Sequence, residues 1–201
     1  MYIKVENPPG SHVMCVYKTR DSLVRHGLHY LKEGLDGNES CLLITHYLSK
    51  NKVKDVMAEL WGPRYMSGLK WNGDLKIVSG SQWYFRGRPY SFNLDSVIES
   101  WSNLNNNAIS EGKNGVRVFG DVGFFFRREM VDVLVNYESS VPLLPLKLVC
   151  AYLESDLSLL SDLSLLSNES YNTLQESHEH VYLVPDIPDK SSKVRKPIRK
   201  G

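Results

Sequence analysis

Six short apolar runs, separated by longer stretches with helical spacing, constrain this chain more than anything else in it. The run Cys41-Leu42-Leu43-Ile44-Thr45 lacks polar alternation, as a strand buried on both faces does. Such runs alternating with amphipathic segments predict an α/β fold of three layers, a mostly parallel central sheet flanked by helices. A length of 201 residues suits one domain with a sizeable core.

Strands are expected at residues 12–17, 41–45, 75–78, 115–120, 146–152 and 181–184, and helices at 21–35, 50–61, 94–111 and 128–137. Leu23, Val24, Leu28, Leu31 and Leu35 carry the helical period of the first helix. Gly62-Pro63 should stop the second, and Asn93 or Ser91 should cap the third. Between the last two strands, residues 156–161 are repeated at once as 162–167, which should lengthen a helix there.

Composition narrows the classes. No apolar stretch reaches the roughly 18 residues a membrane helix needs, and residues 1–10 contain no apolar signal core, so a cytoplasmic protein is expected. Cys15, Cys41 and Cys150 are odd in number and far apart, which fits reduced thiols rather than a disulfide framework. Lys190, Lys193, Arg195, Lys196, Arg199 and Lys200 crowd the end of a chain whose net charge is only +1, so the body is mildly acidic. Residues 186–201 are therefore expected to be a disordered basic tail behind a domain at 1–185, with only weak, salt-sensitive contact to nucleic acid.

Equally informative is what is missing. After the first predicted strand comes Tyr17-Lys18-Thr19-Arg20-Asp21-Ser22, without the glycines that let backbone amides wrap a phosphate, and Asp21 would repel one. No Gly-x-Gly-x-x-Gly follows a strand, and neither a nucleophile elbow nor a closely spaced Cys/His metal signature is present. No cofactor, metal or catalytic residue is expected. A ligand set of His12, Cys150 and His178 is conceivable, but their spacing carries no local signature.

Ligands of open α/β sheets settle at the carboxyl ends of the strands. Polar residues there, or within core strands, are the candidates: Tyr17, Asp121 beside Gly120 and Gly123, Cys150, Tyr152, and Glu138 near a helix end. His12 opens a strand, and His178 and His180 lie just before the last. Cys150 also reads as a small buried hydrophobe, Tyr152 as a core aromatic, and Asp121 as the partner of Arg117 in a structural ion pair. Tyr17, Asp121, Cys150 and Tyr152 are expected to enclose one space at the carboxyl rim.

The fragments Ser11-His12-Val13-Met14-Cys15-Val16-Tyr17, Tyr30-Leu31-Lys32-Glu33-Gly34-Leu35, Trp83-Tyr84, Gly115-Val116-Arg117-Val118, Tyr137-Glu138, Cys150-Ala151-Tyr152 and His178, in that order, resemble the MEDS domain. That is the sensory module of methanogens, methylotrophs and the regulator DcmR. The resemblance spans roughly residues 10–184 and implies a RecA/KaiC-like fold without a phosphate loop. It also implies a role in sensing small molecules, among them hydrocarbon derivatives. His12, Tyr17, Glu138, Cys150, Tyr152 and His178 match recurrent family positions, and Asp121 stands where the family usually has Glu.

A small-molecule-binding sensory domain in signal transduction or transcriptional regulation is thus the expected function. It would act through a partner such as a histidine kinase, a transcription regulator or a second copy. The alternatives are a degenerate nucleotide-binding protein or enzyme, with Asp121 or Glu138 as base, and a pure interaction module.

Overall fold

The computed structural model describes Val5 and residues 8–70, 73–85, 91–141 and 144–186. The element order is β1 (His12–Tyr17), α1 (Arg20–Asp36), β2 (Ser40–Thr45), α2 (Lys50–Gly68), β3 (Leu75–Ser79), α3 (Gly80–Tyr84), α4 (Leu94–Ser110), β4 (Val116–Asp121), α5 (Gly123–Phe126), α6 (Val131–Ser140), β5 (Lys147–Leu153), α7 (Glu154–Asp162), α8 (Asn168–Glu176) and β6 (His180–Val184). The strands form one sheet in the order β3-β2-β4-β5-β1-β6, with every described pairing parallel.

Alternation along the strands sorts the core into two halves. Met14, Val16, Leu42, Ile44, Val118, Leu148, Cys150 and Tyr152 face α3 to α8, where Trp101, Phe125 and Tyr137 pack. Val13, Cys15, Tyr17, Leu43, Phe119, Val149 and Ala151 face α1 and α2 through Leu28, Leu31, Val53 and Met57. Those are the three layers expected.

Local chemistry sets the ends. Thr19 caps α1 by accepting the Ser22 N–H at 3.2 Å, and Asn93 caps α4 through the Ser96 N–H at 2.8 Å. Gly62-Pro63 bends α2 rather than stopping it. Gly62 takes φ 76°, open to glycine, and Pro63 starts the second segment, where its missing N–H is no loss. The expected helix at 128–137 is α6, beginning at Val131, and the short α5 ahead of it was not foreseen.

The tandem copy does not lengthen a helix. A six-residue shift turns a helix by about 600°, or ~240° off its buried face. Continuing past Leu157 and Leu160 would therefore carry the next leucines away from the sheet. The chain instead leaves the helix after Asp162 and turns at Ser164, φ 56°. Leu163 is left exposed and Leu166 buried, before Ser167 caps α8. The basic segment at 187–201 lies outside the described residues; Asp186 accepts a hydrogen bond from Thr19 at 3.2 Å.

Candidate functional site

Five chain-distant polar residues meet under the α3–α8 face of the sheet. His12 opens β1, Cys150 lies mid-β5, and Tyr152 follows it on the same face. Glu138 occupies the last turn of α6, seven residues from Val131 and four from Leu134, so it shares their buried face. His178 sits in the turn between α8 and β6. Their exposures are 2% (His12), 0% (Glu138), 3% (Cys150), 0% (Tyr152) and 6% (His178).

The Glu138 carboxylate is the hub. Oε1 accepts the Tyr152 O–H at 3.2 Å. Oε2 lies 2.8 Å from His12 Nε2, 3.4 Å from Cys150 Sγ and 3.7 Å from His178 Nε2. His12 Nε2 is also 3.2 Å from Cys150 Sγ. Both imidazoles turn Nδ1 to main-chain carbonyls, His12 to Ser177 O at 3.3 Å and His178 to Leu174 O at 2.5 Å. A carbonyl only accepts, so each Nδ1 carries a proton; His12 Nε2 also donates, to the Glu138 carboxylate, whereas His178 Nε2 faces that carboxylate at 3.7 Å without a hydrogen bond. His178 Nε2 is buried and has no hydrogen-bond partner.

Burial would raise the Glu138 carboxyl, but the charges and hydrogen bonds of His12, His178 and Cys150 outweigh it and hold the group below its ordinary value. Burial, followed by the facing carboxylate, pushes the Cys150 thiol and the Tyr152 phenol well up. Burial drops His178 to about 4, against the pull of Glu138. A surface cleft of about 430 Å³, lined by Ser139, Thr173, Glu176, Ser177, His178 and Glu179, adjoins the group at His178, whose ring is itself buried.

Tyr17 and Asp121 do not join this group, and the expected single space at the carboxyl rim is not formed. Val16 pairs with Tyr152 and Tyr17 with Leu153, so parity puts Tyr17 on the opposite face. There its hydroxyl meets His26 Nδ1 at 2.5 Å. Asp121 ends β4, where Oδ2 accepts the N–H groups of His46 at 2.7 Å and Tyr47 at 3.3 Å, tying down the turn after β2. Burial raises its carboxyl to about 6, and these N–H groups offset only part of that. Arg117 is not its partner; it reaches Glu39 at 2.5 Å and Tyr30 O at 3.1 Å instead. Of the two late histidines, His178 is buried and His180 exposed.

No sequence signal marked His26, Tyr47 or Asp156 as partners at this rim, although the Tyr47 hydroxyl donates to Asp156. Where a phosphate loop would sit, Thr19 already caps α1, and Asp21 in its first turn pairs with Arg25 at 2.9 Å. A helix start so occupied offers a phosphate little.

A three-layer parallel sheet with this strand order and no phosphate loop defines a RecA/KaiC-like α/β domain. In keeping with that, the chain is similar to a KaiC-like protein from the hyperthermophilic archaeon Pyrococcus horikoshii OT3, at 13% identity and a TM-score of 0.51. The alignment covers 73% of this chain and 62% of that protein, less than two thirds of its length. No curated protein matches the sequence. The family model for the methanogen/methylotroph, DcmR sensory domain matches residues 11–163, and the chain belongs to this MEDS family of sensory domains. Among the described residues no helix is long and apolar enough to cross a membrane.

Proposed function

We propose that this sensory domain binds a small molecule at the His12–Glu138–Cys150–Tyr152–His178 group and reports it, in the cytoplasm, through a partner. One observation carries the reading. Five polar side chains from four parts of the chain meet in one buried cluster, and one of those residues, His178, lines a surface cleft, while the place for a nucleotide phosphate is closed by Thr19 and Asp21. Buried polar groups are costly unless they are paired, so a fold that gathers five has used burial for recognition. A small hydrocarbon derivative with one polar end, as the family resemblance implies, suits the mixture of aromatic wall and polar hub.

Transmission requires unequal affinity for two conformations. The group spans β1, β5, α6 and the α8–β6 turn, so an occupant would bias how α6 and α8 pack on the sheet. The domain acts as one unit over residues 1–185, and a histidine kinase, a transcription regulator or a second copy receives the signal, with the basic tail as one contact. A thermal-shift screen over short alcohols, amines and halocarbons tests the reading, with Tyr152→Phe as the control. Stabilisation that weakens in the variant is expected, and a screen without any stabilising compound overturns it.

A second reading, a pure interaction module, is favoured by exposed leucines on neighbouring elements: Leu159 and Leu163 at the end of α7, and Leu183, 78% exposed, on edge strand β6. Deleting residues 190–201 separates the two. Compound binding survives in a sensor, whereas a tail-driven module loses its only measurable activity, partner capture.

A further inference from the structure

We propose that His12 Nε2, Glu138 Oε2, Cys150 Sγ and His178 Nε2 form a four-coordinate site for a divalent transition-metal ion, zinc in the first instance. The four ligand atoms all lie within 4.8 Å of one another. Zinc bonds of about 2.0–2.3 Å put neighbouring ligand atoms of a tetrahedron roughly 3.3–3.7 Å apart. The contacts of 3.2 Å from His12 Nε2 to Cys150 Sγ, 3.4 Å from Sγ to Glu138 Oε2 and 3.7 Å from His178 Nε2 to Oε2 are near that range, and the 2.8 Å contact of His12 needs a small opening.

Hydrogen bonding points the same way. With both Nδ1 protons committed to the carbonyls of Ser177 and Leu174, each ring turns its Nε2 inward: His178 presents a bare nitrogen, and His12 holds a proton against Glu138 that a metal ion would displace. The inward-facing atoms are then two nitrogens, a carboxylate oxygen and one thiol, with only the His12 and Cys150 protons between them. His178 Nε2 receives nothing, although it is buried and aimed at the group. A cation satisfies all four at once. Ring N–H bonds to backbone carbonyls, and the Tyr152 O–H on the outer carboxylate oxygen, are the supports that orient metal ligands.

Charge and ligand type choose the ion. A divalent cation with one thiolate, one carboxylate and two neutral imidazoles is a neutral unit, the form a buried site tolerates best. Metal binding releases the Cys150 proton and the His12 Nε2 proton to solvent and leaves no redox change. Nitrogen and sulfur donors exclude calcium and magnesium and suit zinc or cobalt. Four protein ligands with no open position make a site that senses or braces rather than one that catalyses. The cleft beside His178 is the entry path. The inference rests on the same group as the sensor reading but requires no small molecule.

Cobalt(II) titration of the chelator-stripped, full-length chain, its folding confirmed by circular dichroism, tests it. One equivalent should bind, with intense tetrahedral ligand-field bands and a thiolate charge-transfer band, and zinc should displace it. Cys150→Ser should abolish the charge-transfer band and weaken binding by at least about 100-fold, and Tyr152→Phe should weaken it by roughly 10-fold. His178→Gln serves the same purpose if Cys150→Ser does not fold. Absence of cobalt binding by the folded wild type, or identical spectra and affinity in the ligand variants, overturns the site. A chain that takes no cobalt yet is stabilised by a small compound loses the metal and keeps the sensor; one that binds cobalt through Cys150 but no compound keeps the metal and loses the small-molecule reading.

Discussion

The carboxyl rim and the buried group under the α3–α8 face are two polar regions of one sheet, used in opposite ways. At the rim the polar atoms largely serve the fold itself: Tyr17 with His26, Asp121 with the turn at His46 and Tyr47, Thr19 with the start of α1. Under the face, polar atoms gather around one carboxylate; each region keeps one buried atom without a hydrogen bond, Asp121 Oδ1 at the rim and His178 Nε2 here. The start of α1, where a phosphate loop would sit, is thus taken up by the fold's own contacts, and the denser polar cluster lies beneath the sheet.

The largest expected effect falls on the buried hub. Glu138→Ala leaves the His12 ring and the Tyr152 hydroxyl buried without their partner, which should destabilise the chain by about 3–5 kcal/mol in urea unfolding. Glu138→Gln keeps the shape and should cost less. A loss within about 0.5 kcal/mol for the alanine variant would show that the group is no more organised than the rim.

Asp121 tests the rim by pH. Its folded carboxyl is raised to about 6 from 3.8, so the stability it contributes is fully present below the lower value and lost as pH rises through the upper. The window is worth ~3 kcal/mol by the usual conversion. Asp121→Asn should flatten the fall between about pH 4 and 7 and leave the variant more stable than wild type at neutral pH. Urea midpoints across that range read the difference; an unchanged slope would mean that the aspartate is fully satisfied.

How much of this was legible from the residues follows the range of the signals. Strands such as Cys41-Leu42-Leu43-Ile44-Thr45 are local patterns, and all six were read within two residues. The bend at Gly62 and the break at Ser164 were misread because a glycine-proline pair and a leucine repeat can each continue or end a helix, and packing on the sheet decides. The members of the buried group came from family resemblance and from polar residues in apolar runs. Their meeting point was not readable, since His12 and Cys150 come together only through the β1–β5 register. That register also separates Tyr17 from Tyr152, a parity that no single strand reveals. The proposed metal ligands left no spacing signature for the same reason: they come from three elements and a turn.

Packing on the α1 side gives a smaller test. A Cβ at Gly27 would stand 2.6 Å from the Phe119 ring, so Gly27→Ala must push helix and sheet apart. A cost of about 1–3 kcal/mol is expected, from overpacking that outweighs the helix propensity gained. If this face is only structural, cobalt affinity and compound binding should not change once the variant is folded, and a change in either would tie the two faces together.

The smallest effect, and the sharpest for the comparison, belongs to Tyr17. Tyr17→Phe removes one buried hydroxyl and its contact of 2.5 Å to His26 without opening a cavity around the ring. Loss of such a bond costs about 1 kcal/mol. Tyr17 was expected, from its place at a strand end and from family resemblance, to bind ligand, yet it lies across the sheet from Tyr152. The paired variants Tyr17→Phe and Tyr152→Phe therefore remove the same atom on opposite faces. If recognition resides under the α3–α8 face, only the second weakens cobalt or compound binding, whereas the first lowers the urea midpoint alone. Equal loss of binding in both would return the rim to the site and end the division of labour drawn between the two faces.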